Sequence, residues 1–414
     1  MRVPFHYAAI DPAIRREPVW FDAADGVPLQ GLLHRPPAGD PDVAVLAMHP
    51  RGDFGRHYLA PFLAEAGYAF CGAVTRYLNN DADALHERML LDVAGAIGWL
   101  RGQGFRTVVL LGNSGGGSLF GLYLAQAALP PAERLDRAPS GDRVPLRDTV
   151  LPPADGLIVV AAHLGEGRFL LDRLDPSVVD ESNPTAANPR LDMYDPRNGY
   201  RPMAEGPSRY SGDFLAEYRA AQRARCERLD RQALAWCEEA AYFRAELRAR
   251  SESMGVTEKT RLVRWAAQRR YLLVYRTLAD PRYLDPTLDP SDRPLGSIFA
   301  FGRDPLVGNY GEGLARAMSA RGWLSTWSGL SSNADLEATI AGVRVPTTVV
   351  AATADTDVHP AECRRVFAAS AAADKTYHEL PGADHYLHAA DGGDPRARLA
   401  HEIVLPWLRA RWPV

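Results

Sequence analysis

The chain has 414 residues, 46% hydrophobic and 24% charged, with a formal net charge of −4. That composition excludes a collagen-like or bulk-disordered chain and leaves room for one large domain or two of ordinary size. So small a net charge supplies no field for nucleic acid or an anionic membrane, and neither partner is expected.

Cys71, Cys226, Cys237 and Cys363 are far apart, without metal-type or redox-type spacing, and read as neutral thiols in a reducing compartment. The opening segment, "MRVPFHYAAIDPAIRREP", has no basic leader and no unbroken apolar core, so no signal peptide is read there. No stretch approaches the roughly 20 apolar residues of a membrane helix. A cytoplasmic protein without a membrane partner is expected.

In chain order, "PVWFDAADGVPLQGLLHRP" alternates apolar and polar residues around an Asp25-Gly26 turn and predicts a hairpin. "DVAVLAMHP" predicts a strand, "YLAPFLAEAG" a helix and "YAFCGAVTRY" another strand. In "HERMLLDVAGAIGWLRGQG", Leu90, Leu91, Val93, Ala94, Ile97 and Leu100 form one broad helical face. "RTVVLLGNS" then predicts a strand, "GGSLFGLYLAQAAL" a helix and "DGLIVVAAH" a sixth strand. Strands alternating with helices imply a mostly parallel sheet covered on both faces.

The alternation then stops. A Pro/Asp/Asn-rich stretch, "DPSVVDESNPTAANPRLDMYDPRNGYRP", is followed by a helical block reaching through "TEKTRLVRWAAQRRYLLVYRTLADP". It resumes with "DLEATIAGVRVPTTVVAATADTDVHP" and "TYHELPGADH" and closes with the helix "ARLAHEIVLPWLRARW". The organisation expected is an α/β core over residues 1–163 and 330–414, split by a mostly helical insertion over 164–329. In "LDMYDPRNGY" the oxygen side chains Asp192, Asp195 and Asn198 lack EF-hand spacing and read as a turn, so no metal is expected.

"VVLLGNSGGGSLFG" is the most informative stretch, because a strand stops at a serine among glycines and continues as a helix. Gly112-Asn113-Ser114-Gly115-Gly116 has the small-x-Ser-x-small pattern of a nucleophile elbow. Gly112 and Gly116 would relieve crowding between strand and helix, and the Gly115 N–H at the helix start would face an oxyanion. No Lys-Ser/Thr follows the glycines, which rules out a Walker-type phosphate loop.

A serine hydroxyl needs a base, and the base needs an orienting carboxylate. Both are predicted at later strand ends, in the order acid then histidine: Asp355 after "VPTTVVAATAD" and His385 after the Gly turn of "YHELPGADH". Asp357 competes with Asp355 for the acid role, while His359, His378 and His388 read as structural. The second oxyanion donor is expected in "AMHPRGDFGRHY", from the N–H of Arg51 with Gly52 in reserve, since Pro50 has none.

With Ser114, Asp355, His385 and the His49-Pro50 loop assembled, the chain resembles an α/β-hydrolase over residues 17 to 162 and 330 to 414. The resemblance implies a serine hydrolase acting on a carboxylic ester through an acyl-enzyme, with no cofactor or metal. "HP" stands where many esterases have His-Gly, and Ala352 where a Gly commonly precedes the acid. The resemblance also makes the insertion after the sixth strand a lid or cap, with a small hydrophobic or aromatic substrate favoured and a homodimer open to it. Thioester, amide and C–C cleavage share the machinery, and a non-catalytic ligand-binding protein on the same scaffold is the rival of another class.

Overall fold

The computed structural model describes residues 5–250, 252–300 and 304–414. Its spine is an eight-stranded sheet whose central strands are rich in Val, Leu and Ala. The sheet begins with β1 (Arg15–Asp22), β2 (Pro28–Arg35) and β3 (Val43–Ala47). After helix α1 (Ala60–Glu65) come β4 (Ala69–Ala73) and α2 (His86–Gly102). Next are β5 (Thr107–Asn113), α3 (Gly116–Ala127) and β6 (Gly156–Val160). The spatial order is β1-β2-β4-β3-β5-β6-β9-β10, where β9 is Thr347–Ala352 and β10 is Lys375–Leu380. Only β2 runs against the rest: it is antiparallel to both β1 and β4, and every other neighbour pair is parallel.

Parallel strands with both faces covered are apolar at every position rather than at alternate ones. Leu46 and Leu110 accordingly pack into one core with the α2 residues Leu90, Leu91 and Ile97. Their neighbours Val45, Val109 and Leu111 pack on the opposite face with Leu63, Val404 and Leu408. The hairpin forms as read, with Gly26 at φ 80° in its turn. All four cysteines are free thiols, and three of them are fully buried.

Between β6 and β9 lies the insertion. It opens with α4 (Glu166–Leu171) and contains the 39-residue helix α5 (Gly212–Arg250) and α6 (Val256–Ala267). Its inner faces make two cores of their own, one around Trp323, Trp327, Leu229 and Leu272, the other around Tyr210, Phe214, Tyr218 and Tyr283. The sequence predicts a helical block through Pro281, but helix stops at Ala267. β7 (Tyr271–Leu273) pairs instead with β8 (Ala317–Ser319). Tyr271, Val274 and Tyr275 favour strand while Leu272 and Leu273 favour helix, and a distant partner decides their state. Among the described residues no helix is long and apolar enough to cross a membrane.

Candidate active site

The side chains that matter leave the sheet at one edge, the C-terminal ends of its parallel strands, where ligands bind in open α/β sheets. β5 ends at Asn113 and the chain turns into α3 through Ser114, whose φ is 54°. A non-Gly residue in the left-handed region costs about 1–3 kcal/mol and persists only where its surroundings impose it. Here Ser114 N–H donates to Val160 O at 3.1 Å and Asn113 Nδ2 to the same oxygen at 2.8 Å. Asn113 Oδ1 in turn accepts from His57 Nε2 at 3.1 Å and Tyr58 O–H at 3.3 Å. Buried polar bonds on both sides of the turn therefore pin it.

The glycines make the turn possible. A Cβ on Gly112 would meet Gly117 Cα at 2.7 Å, and one on Gly116 would meet Met48 O at 2.4 Å, both backbone atoms with no freedom to retreat. Gly115 is crowded differently, by side-chain ends: Glu166 Oε1 at 2.4 Å, His49 Nε2 at 2.9 Å and His163 Nε2 at 3.3 Å from the same constructed position.

Ser114 Oγ lies 3.1 Å from His385 Nε2, and His385 Nδ1 lies 2.7 Å from Asp355 Oδ2. Asp355 Oδ1 accepts from the N–H groups of Asp357 at 2.8 Å and Val358 at 2.9 Å, which fixes the carboxylate after β9. Ser114 and His385 are nearly buried and Asp355 is fully so. Burial opposes charge on the His385 ring. The charge and hydrogen bond of Asp355 outweigh it, and the ring is held above its ordinary 6.5.

Asp357 has other partners. Tyr283 O–H donates to its Oδ1 at 2.6 Å and Ile298 N–H to its Oδ2 at 3.0 Å, while Arg173 Nε stands 3.7 Å away. It joins the insertion to the turn that carries Asp355. His359 is the N-cap of helix Pro360–Ala369, His378 lies on β10, and His388 is exposed.

The loop after β3 holds a departure. The N–H groups of Arg51 and Gly52 are both donated to His49 Nδ1, at 3.1 and 3.0 Å, so the expected Arg51 donor is committed within its own loop. The Arg51 guanidinium stacks over Trp327 at 4.9 Å. It lines a cavity of about 30 Å³ together with Ser114, His385, His163, Glu166, Phe169 and Trp327.

Sequence reasoning missed His163, Glu166 and His86. His163 follows β6 much as His49 follows β3, and "VLAMH" beside "VVAAH" was the available signal. His86 Nε2 approaches Glu166 Oε2 to 3.3 Å without hydrogen-bond geometry. Burial pushes His86 down to about 3 and Glu166 up to about 7. Of the insertion's aromatics, Trp327 reaches the cavity, Trp323 packs in the insertion's core, and Tyr242, Trp265 and Tyr271 are exposed.

The buried histidines carry a prediction for stability. Burial depresses His34 to about 4, His57 and His86 to about 3, and His49, His163 and His359 well below 6.5. The unfolded chain therefore binds protons below pH 6.5 that the folded chain refuses, and the stability present above 6.5 is lost as the pH falls. Glu166 and Glu362, both raised by burial to about 7, Asp92, raised to about 6, and the raised His385 act in the opposite sense. The histidines outnumber them, and a net loss on the order of 2 kcal/mol is expected between pH 6.5 and 5.5. Urea midpoints measured across that range check it; a midpoint that held or rose on acidification would contradict it.

A central parallel sheet with one reversed strand near its edge, an elbow after β5 and helices on both faces make this the α/β-hydrolase fold. Among solved structures, DcsB in complex with its substrate analogue is 12% identical, over 97% of this chain and 100% of its own, with a TM-score of 0.50. The α/β hydrolase GrgF from Penicillium sp. sh18 is 15% identical over 97% and 100%, with a TM-score of 0.49. The esterase domain of a Rhodothermus marinus protein is 13% identical over 96% and 98%, with a TM-score of 0.44. Likeness at such identities concerns the fold alone. No family model and no curated protein matches the chain.

Proposed function

We propose that the chain is a serine hydrolase of small carboxylic esters, with Ser114 as nucleophile, His385 as general base and acid, and Asp355 as the group that orients the ring. The observation that carries this reading is the continuous hydrogen-bond path from Ser114 Oγ through His385 to Asp355, at 3.1 and 2.7 Å, starting from a left-handed turn residue. Neutral His385 takes the serine proton as Oγ attacks the acyl carbon, and the resulting imidazolium lies against Asp355. The protonated ring then gives its proton to the departing alkoxide, and a water molecule, activated by the same ring, releases the acid. Gly115, as N-cap, offers a backbone N–H outside the helix ladder to the oxyanion.

Phe169, Ile298, Phe299, Leu314 and Trp327 cover the serine and favour an apolar acyl group. A cavity of about 30 Å³ holds about one water, so these residues must separate from the core before an ester enters. The insertion thus serves as a cap in this reading. A panel of p-nitrophenyl esters of graded length, alongside aryl amides and thioesters, tests it. Short acyl chains are expected to turn over best, with kcat/KM falling beyond about four carbons. Folded protein that turned over no ester, or preferred amides, would contradict the reading.

A further inference from the structure

The second oxyanion donor is the missing part of this site, because the two loop N–H groups expected to supply it, those of Arg51 and Gly52, are already used. Arg51 N–H and Gly52 N–H both point at His49 Nδ1. A ring nitrogen that accepts two N–H donors carries no proton, so the neutral His49 ring bears its proton on Nε2. His163 is locked the same way, since Gly165 N–H donates to its Nδ1 at 3.1 Å. Two histidines on two different strand ends thus share one tautomer, each imposed by the backbone just beyond it.

Both Nε2–H groups face the elbow. They crowd the Cα of Gly115, 2.9 and 3.3 Å from where a Cβ would stand, and His163 lines the cavity that holds Ser114. No acceptor among the described residues pairs with either Nε2. Burial keeps both rings neutral, so each is a donor that has no charge of its own to lose. Glu166 Oε1 abuts the same face of Gly115. Its carboxyl, raised to about 7, is half protonated at that pH and largely a neutral acid below it.

We propose that His49 and His163 donate their Nε2–H groups to the substrate oxyanion beside the Gly115 N–H, in place of a second backbone donor. The inference rests on the serine hydrolase reading. When Ser114 Oγ bonds to the acyl carbon, the carbonyl π pair moves onto oxygen and the serine proton goes to His385. The two imidazoles hydrogen-bond that oxygen without transferring a proton. When the pair returns to form the carbonyl, the C–O bond to the alcohol breaks and the alcohol takes the proton from His385. Neutral imidazole is the suited donor, since it stabilises the developing negative charge without offering an acidic proton that the oxyanion would capture.

The test uses His49→Asn and His163→Asn in the full chain. Asparagine Oδ1 stands in for Nδ1 as acceptor of the backbone N–H, so the turns are kept while the Nε2–H is removed. Each variant is expected to lose 10²–10³-fold in kcat on p-nitrophenyl acetate with KM changed less than about 3-fold. Phosphonylation of Ser114 by a fluorophosphonate is expected to slow in parallel. Gly115→Ala perturbs the same face without altering either ring: its φ of −61° admits alanine, the methyl forces Glu166 Oε1 and His49 Nε2 aside and presses on His163 Nε2, and a loss of at least about 10²-fold is expected. If an Asn variant does not fold, Gly115→Ala decides.

Asn variants with parental kcat, or an unimpaired Gly115→Ala, overturn the donor assignment while labelling of the parent at Ser114 leaves the serine reading standing. A parent that takes no label at Ser114 overturns both.

Discussion

Replacing Ser114 with alanine is expected to lower ester turnover by about 10⁴–10⁶-fold, the scale on which removal of a nucleophile acts when its partners can do little alone. The variant should nonetheless fold as the parent does. Alanine in the left-handed region bears the same steric cost as serine, and the bonds that impose the turn come from Ser114 N–H and from Asn113, not from Oγ. What is lost is one hydroxyl, 3.1 Å from the ring proposed as its base. Initial rates beside thermal melts check this: activity should vanish while the melting midpoint stays within a few degrees. Residual activity within tenfold of the parent would remove Ser114 from the chemistry.

Asp355→Asn is expected to cost about 10⁴-fold in kcat. The amide oxygen can still accept from the Asp357 and Val358 N–H groups, which turns the amide nitrogen toward His385 Nδ1. Two donors then face each other, the ring shifts its proton to Nε2, and the serine loses its base.

The pH profile separates this from simple misfolding. In the proposed mechanism the parent needs the neutral ring, and Asp355 holds the ring above 6.5 against burial, so kcat/KM should rise through a midpoint above 6.5. In the variant burial acts with less opposition, and the midpoint of the residual activity should fall below 6.5. Profiles from pH 4.5 to 9 for both proteins decide the matter. An unshifted limb would mean that another group titrates.

The legible part of this molecule is the part written locally. β5 is an apolar run ending in glycines, and the crowding that demands them is between segments adjacent in sequence, Gly112 against Gly117. Asp355 and His385 were readable as strand-end residues in a known chain order. Choosing Asp355 over Asp357 was not a local matter, because the partners that occupy Asp357 are Tyr283 and the N–H of Ile298, both in the insertion. The β7–β8 pair escaped for the same reason: its strands are separated by more than forty residues and each alone is three residues long.

His163 and Glu166 were harder still. Their proximity to Gly115 depends on how β6 and α4 sit against the elbow, and a histidine in an apolar context is more often a satisfied core residue than part of a site. The pairing of the Arg51 N–H within its loop was not legible, because nothing in "HPRGD" reveals that the His49 ring turns back to accept the loop's own N–H groups.

The most direct test of the central claim is peptide mapping by mass spectrometry after exposing the native protein to a fluorophosphonate. The account predicts a single covalent adduct, on the peptide containing Ser114, whose formation accelerates with pH as His385 loses its proton. An adduct on another residue, or none on a protein shown to be folded, would contradict it.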